Sequence, residues 1–195
     1  MLGLKQGEKL VELARKAIET SFSKEQIDHS EYEEFSEKQG VFVTISKHGQ
    51  LRGCIGFPEP MYELRRAIIE GARSAAFSDP RFPQLSEEEL EEITVEVSVL
   101  TVPQEIEAET PEERKESVTI GTDGLIIRGA TGSGLLLPQV ASEQGWNAEE
   151  FLQHLCMKAG LPEDAWKDNN NRLYCFQARI FAEKEPNGEI IEKDA

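Results

Sequence analysis

The hexapeptide Leu51-Arg52-Gly53-Cys54-Ile55-Gly56 places a guanidinium and a thiol two residues apart. In an extended strand such a pair shares one face, and a nearby cation favours the thiolate, the reactive form of cysteine. Cys54 is therefore a candidate nucleophile or redox-active thiol, with Arg52 stabilising it or holding an anionic substrate group. The same residues have a structural reading: free cysteine is among the most often buried residue types, and an arginine can end on backbone carbonyls. No histidine stands near in sequence to serve as a base. Glycine weakens a strand interior and marks a bulge or a close backbone approach, so two glycines around the thiol call for an explanation.

Other polar residues join this candidate site. Arg81 lies in the proline-stiffened loop Asp79-Pro80-Arg81-Phe82-Pro83. It can fork onto a carboxylate or phosphate, or tie the loop to backbone carbonyls. Asp79 either caps that loop or contacts substrate. Glu96 sits on the polar side of an otherwise apolar strand, as a buried acid or as an ion-paired, solvent-facing one. The run Gly129-Ala130-Thr131-Gly132-Ser133-Gly134 lacks both the Lys-Ser/Thr ending of a P-loop and the setting of a dinucleotide fingerprint; a mobile hairpin loop is expected. His29, His48 and His154 are scattered singly, and Cys156 and Cys175 fall in apolar patterns. No metal and no cofactor are expected.

The elements that must position these groups are legible from periodicity. Leu10, Leu13, Ala14, Ala17 and Ile18 recur at helical spacing. A polar, mostly acidic stretch from Ser23 to Gln39 reads as surface loop. Val41 to Lys47 alternates, and Leu51 to Gly56 returns after a turn at His48-Gly49-Gln50, which together predict a β-hairpin. With a three-residue turn Thr44 faces Cys54 and Ser46 faces Arg52, leaving Leu51 and Ile55 to anchor the core. With a two-residue turn Val43 and Ile45 flank the Arg and Cys instead. The first register sorts polar from apolar and is the one expected.

A helix with a narrow stripe of Leu64, Ala67, Ile68, Gly71, Ala72 and Ala75 follows, ending before Asp79-Pro80. Ser86 with Glu89 makes a capping box. Ile93, Val95, Val97 and Val99 alternate through a strand. Thr110-Pro111 starts a second capped helix, short strands are expected over 118–120 and 125–128, and Pro138 and Asn147 open two further helices. One last strand is expected from Leu173 to Phe181, then a loose polar tail. Hairpins with helices grouped between them argue for an α+β class, with a mostly antiparallel sheet, packed helices and a smaller subdomain. One domain over 1–195 is expected, with 103–117 as a boundary or excursion.

Composition narrows the function classes. The 195 residues carry 21 Lys+Arg against 37 Asp+Glu, a formal net charge of −16. Such a surface repels phosphate backbones and anionic lipids, which argues against nucleic acid and membranes as partners. Three cysteines are too few and too odd for a disulfide framework. With no export-type apolar run at the N-terminus and no span-length apolar stretch, a reducing cytoplasm is the expected setting.

Gly40-Val41-Phe42-Val43-Thr44, the hexapeptide at 51–56, Asp79-Pro80-Arg81-Phe82-Pro83, and Leu137-Pro138-Gln139-Val140-Ala141 with Gly145-Trp146 together resemble the AMMECR-one domain family. The resemblance covers about residues 8 to 183. It implies a two-lobed α/β fold around an antiparallel sheet, and the company of Memo-type dioxygenase-like and radical-SAM proteins. It implies no reaction. Two function readings therefore stand. One is an enzyme acting on a small anionic or base-like substrate through a cleft lined by Arg52, Cys54 and Glu96, with Arg81, Asp79 and Thr44 contacting substrate. The other is a non-catalytic binding or scaffold module for a partner protein.

Overall fold

The computed structural model describes residues 2–23 and 25–193, and these form two compact units. Unit 1 runs to Leu100 and resumes at Arg179; unit 2 is the intervening Thr101–Ala178. The segment 103–117 falls within unit 2. The architecture mixes helices with two sheets whose ladders are antiparallel.

Unit 1 contains α1 (Leu4–Glu19), β1 (Gly40–Lys47), β2 (Gln50–Phe57), α2 (Leu64–Phe77) and β3 (Ile93–Leu100). Unit 2 contributes β4 (Gln104–Glu105), α3 (Pro111–Glu116), β5 (Gly124–Arg128), β6 (Ser133–Leu136), α4 (Pro138–Gln144), α5 (Ala148–Lys158) and β7 (Arg172–Phe176). The chain then closes the first sheet with β8 (Ala178–Glu183) and β9 (Ile190–Lys193). Strand order is β2-β1-β3-β8-β9 in unit 1 and β4-β7-β5-β6 in unit 2.

Alternation in β1 and β3 decides which face is covered. Val41, Val43 and Ile45 pair with Val99, Val97 and Val95, and all six are buried with residues of α1 and α2. The opposite face carries Phe42, Thr44 and Ser46 beside Ser98, Glu96 and Thr94. α2 lies close because its inward stripe is small. It also meets a glycine: a Cβ on Gly53 would come 2.1 Å from the Ala75 carbonyl oxygen. One of the two hexapeptide glycines is thus occupied by the molecule's own helix. A Cβ on the other, Gly56, would strike the β1 backbone and the Phe42 ring.

The β1–β2 hairpin combines the two registers considered from the sequence. Its turn is two residues, His48 (φ 52°) and Gly49 (φ 75°), the left-handed pair that matches strand twist. Lys47 faces Gln50 and Ser46 faces Leu51; the ladder then slips, so that Ile45 faces Gly53 and Thr44 faces Cys54. Arg52 is the extra residue of a β-bulge, which bends the strand and re-aims a side chain. Thr44 and Cys54 are therefore neighbours as expected, whereas Ser46 faces Leu51 in place of Arg52. Leu51 does not anchor the core: it is 44% exposed, because the two-residue turn sets it opposite Ser46 on the polar face.

Four other expectations are corrected. The stretch from Ser23 to Gln39 contains a 3-10 segment, His29–Phe35, that buries Tyr32 and Phe35. Residues 118–120 form no strand; the Thr119 N–H is taken by the Asp123 carboxylate at 2.9 Å, and β5 pairs with β6. The single last strand is two, β7 and β8, placed in different sheets on either side of Gln177. The tail is not loose: β9 pairs with β8, and Lys184 bonds Glu189 across the connection.

The return of β8 is fixed by a buried ion pair. Arg15 of α1 donates from Nε and Nη2 to Glu183 at 2.5 and 2.6 Å, and Glu183 also accepts the Val95 N–H at 2.9 Å. In unit 2, Phe151, Leu152, Leu155 and Cys156 of α5 pack with Leu125 and Ile127 of β5. The glycine run after β5 is a packed hairpin connection, since a Cβ on Gly132 would land 2.0 Å from the Ala159 carbonyl oxygen.

Gly53→Ala is expected to destabilise unit 1 by about 1–3 kcal/mol, because the atom it meets is helix backbone and cannot swing aside. The urea midpoint measures this; an unchanged midpoint would show that α2 yields freely.

Candidate functional site

The polar side chains around the hexapeptide fall into two clusters rather than one. The first is built on the bulge. Arg52 donates from Nε and Nη2 to the two Glu89 oxygens, both at 3.0 Å, from Nη1 to the Pro83 carbonyl at 2.8 Å, and again from Nη2 to the Gln84 carbonyl at 3.3 Å. All three of its nitrogens are engaged with the chain. Glu89 is held in turn by the Ser86 N–H at 3.0 Å and by Lys47 at 3.3 Å, and Lys47 also pairs with Glu92. The capping box read from Ser86 and Glu89 is present. Sequence reasoning missed that the capping carboxylate is also the partner of Arg52; nothing in the local spacing carries that information.

The second cluster surrounds Cys54. β2 is an end strand of its sheet, and Cys54 points its peptide groups away from β1. Its N–H donates to Asp79 Oδ2 at 2.9 Å, and its carbonyl accepts from Arg81 Nη2 at 3.3 Å. Asp79 and Arg81 also join each other, Nε to Oδ1 at 3.0 Å and Nη2 to Oδ2 at 2.7 Å, while the Arg81 N–H donates to Oδ1 at 3.1 Å. Asp79 is buried and Arg81 is exposed at its outer edge. The Thr44 hydroxyl lies 3.3 Å from the Cys54 sulfur. Register carries the row across the sheet, from Cys54 to Thr44 to Glu96, and Glu96 ends in an ion pair with Lys193 at 2.7 Å. Thr44, Cys54 and Glu96 are all half-buried.

Electrostatics follow from these contacts. The Arg81 guanidinium, with the Cys54 and Arg81 N–H groups, holds the Asp79 carboxyl well below the usual carboxylate range. Arg52, helped by the Ser86 N–H and Lys47, lowers Glu89 from an ordinary 4.5 to about 2. Burial pushes the Cys156 and Cys175 thiols up, which keeps both in the neutral form. Among the described residues no group of three or more His, Cys, Asp or Glu side chains is placed to hold a metal ion. No helix among them is long and apolar enough to cross a membrane.

A carboxylate whose folded pKa lies below its unfolded one leaves the folded state with fewer bound protons between the two values. Its stabilisation is complete above the unfolded pKa and is lost as pH falls through the folded one. For Glu89 the window runs from 4.5 down to about 2. At neutral pH, Glu89→Gln should cost about 1.5–3 kcal/mol, the worth of hydrogen bonds to a charged group. The urea midpoints of the variant and wild type should converge as pH falls through that window. A gap that stays constant would show that the ion pair is not the source.

Comparison with known proteins fits this geometry into a lineage. The family model described as AMMECR1 matches residues 11–181. Protein MK0488 of Methanopyrus kandleri is 48% identical over 99% of this chain and 96% of its own length. Protein MJ0810 of Methanocaldococcus jannaschii is 48% identical over 99% and 98%. The crystal structure of the uncharacterized protein PH0010 from Pyrococcus horikoshii superposes with a TM-score of 0.91 at 46% identity, covering 100% of this chain and 99% of that one. The names of these relatives state no activity. The family model covers most of the chain and these relatives match it over nearly its whole length, so the chain belongs to the AMMECR1 family.

Proposed function

We propose that the chain is a binding module whose ligand or partner meets the face of the five-stranded sheet opposite α1 and α2, at the row of Cys54, Thr44 and Glu96. The observation that carries this reading is the commitment of Arg52. A guanidinium that spends Nε, Nη1 and Nη2 on Glu89, Pro83 and Gln84 is a structural clamp and has little left for a substrate anion. Asp79 is similarly occupied by Arg81 and by two main-chain N–H groups. What stays on offer is the Cys54 thiol, the Thr44 hydroxyl and the outer edge of Arg81, beside a Glu96 carboxylate that is paired with Lys193; among the described residues no imidazole or unpaired carboxylate is bonded to the thiol as a base. The family's company makes a Memo-type or radical-SAM protein the candidate macromolecular partner. A reducing compartment suits three cysteines that are all free.

One observation favours the enzyme reading with a small anionic or base-like substrate. The Thr44 hydroxyl, 3.3 Å from the Cys54 sulfur, is placed to donate a hydrogen bond to it. Arg81 beside it would then hold the substrate anion.

The rate of Cys54 alkylation by iodoacetamide in the native protein at neutral pH separates the two. The binding reading expects Cys54 to react no faster than cysteine in a short peptide. A rate about tenfold or more above that, slowed again in Thr44→Val, would overturn it in favour of thiol chemistry.

A further inference from the structure

Three carboxylate residues are buried among the described residues: Asp79, Asp123 and Glu183. Burying a charge is costly unless a counter-charge or a metal accompanies it. Asp79 meets that condition with Arg81, and Glu183 with Arg15, each through a forked pair of hydrogen bonds. Asp123 has no such partner. It accepts the Thr119 N–H at 2.9 Å and a hydrogen bond from Gln177 Nε2 at 3.4 Å, both from neutral amides. No lysine, arginine or histidine among the described residues pairs with it.

This unmatched carboxylate lines a recess of about 340 Å³ whose walls belong to unit 2. β7 runs between β4 and β5, which sets Gln104 and Leu125 on either side of Cys175 and places Phe176 across from Gly124. Asp123 directly precedes Gly124, so the turn from Thr119 delivers its carboxylate beside the end of β7. Val102, Gln104, Cys175, Phe176 and Gln177 supply the other walls: two apolar surfaces, two amides and a thiol. Val102 is 58% exposed, which leaves apolar surface open to a ligand. An apolar lining with a few convergent polar groups is the usual make-up of a small-molecule site. Burial, with the nearby Asp123 charge, pushes the Cys175 thiol up and keeps it neutral. A neutral thiol is no metal ligand, and no metal-binding group of three such side chains forms among the described residues.

We propose that this recess binds a small organic cation, an ammonium or amidinium group on an apolar body, with the Asp123 carboxylate as its counter-ion. A cation is what the buried carboxylate lacks, and a hydrogen bond between charged groups is about twice as strong as a neutral one. The Gln104 and Gln177 amide oxygens are acceptors for further N–H groups, while Phe176 and Val102 receive the apolar body. The formal charge of −16 draws cations toward the molecule. A volume of about 340 Å³ is at the small end for ligand sites, which suits a single ring or a short chain. The site shares no residue with the row at Cys54, Thr44 and Glu96, so it is independent of the binding reading above.

The test is titration calorimetry of the full chain at neutral pH with benzamidine and phenethylamine, against benzamide and phenethyl alcohol as their neutral counterparts. At least one cation should bind with a Kd below about 1 mM, and its neutral counterpart about tenfold or more weaker. At about ten times Kd, the bound cation should slow iodoacetamide alkylation of Cys175, read by peptide mass, about tenfold, since only the free fraction reacts. Asp123→Asn keeps an oxygen for the Thr119 N–H and removes the charge; it should weaken the cation about tenfold or more. If that variant does not fold, Gln104→Lys serves in its place. Gln104 is exposed on β4 and faces Cys175, so the lysine brings the chain's own ammonium to the recess and should weaken the cation equally. The proposal is overturned if both cations bind more weakly than about 1 mM, or if the neutral counterpart binds within about tenfold of its cation. Unslowed alkylation of Cys175 overturns it too. So does an affinity within about tenfold of wild type in folded Asp123→Asn, or in Gln104→Lys where it stands in.

Discussion

A strand at the end of a sheet leaves peptide groups without a ladder partner, and a buried peptide group left unpaired costs about 1–3 kcal/mol. At Cys54 that need is met by a side-chain carboxylate and a guanidinium, and much of the surrounding structure follows from it. Asp79 must be buried to reach the strand, so it must be charged and paired, which brings in Arg81. A loop that carries both must run along the edge, and the two prolines at 80 and 83 stiffen it there. Arg52 then finds the carbonyls of Pro83 and Gln84 within reach. The Asp-Pro-Arg loop and the hexapeptide are two halves of one contact.

The bulge at Arg52 is the second determinant. Without it, a two-residue turn would set Val43 across from Cys54 and place the thiol on the helix-covered face. With it, the short left-handed turn is kept, yet Thr44 faces Cys54 and Gly53 faces Ile45 under α2. A single inserted residue thus lets one strand present a glycine to a helix and a thiol to the opposite face.

These relations were unequally visible in the sequence. The helices of α1, α2 and α5, the alternation of β3, the capping boxes at Ser86, Thr110 and Asn147, and the pairing of Thr44 with Cys54 were legible, because each depends on residues a few positions apart. The choice between two registers was not, since a bulge satisfies both turn geometry and face sorting and no local pattern announces it. Nor were the partners of Arg52 and Cys54: Glu89 lies 37 residues from Arg52 and Asp79 25 residues from Cys54, separations set by how α2 and the following loop fold back. The strand-like segment from Leu173 to Phe181 concealed a change of sheet at Gln177, because both halves are genuine strands and only hydrogen-bonding partners distinguish them.

That change of sheet has a bearing on how the chain folds. The chain leaves unit 1 after Leu100 and rejoins it at Arg179, and the two crossing points are tied to each other: Thr101 donates its N–H to the Gln177 carbonyl at 2.8 Å, and Gln177 donates its N–H to the Thr101 hydroxyl at 2.8 Å. β3 and β8 are neighbours in one sheet although all of unit 2 lies between them in sequence. Closing so long a loop is entropically costly when the intervening chain is unfolded. Once unit 2 has folded, its ends stand side by side and much of that cost has already been met. The sheet of unit 1 is completed by strands drawn from the end of the chain, so unit 2 is the internal staple whose own ends bring the two parts of a discontinuous unit together.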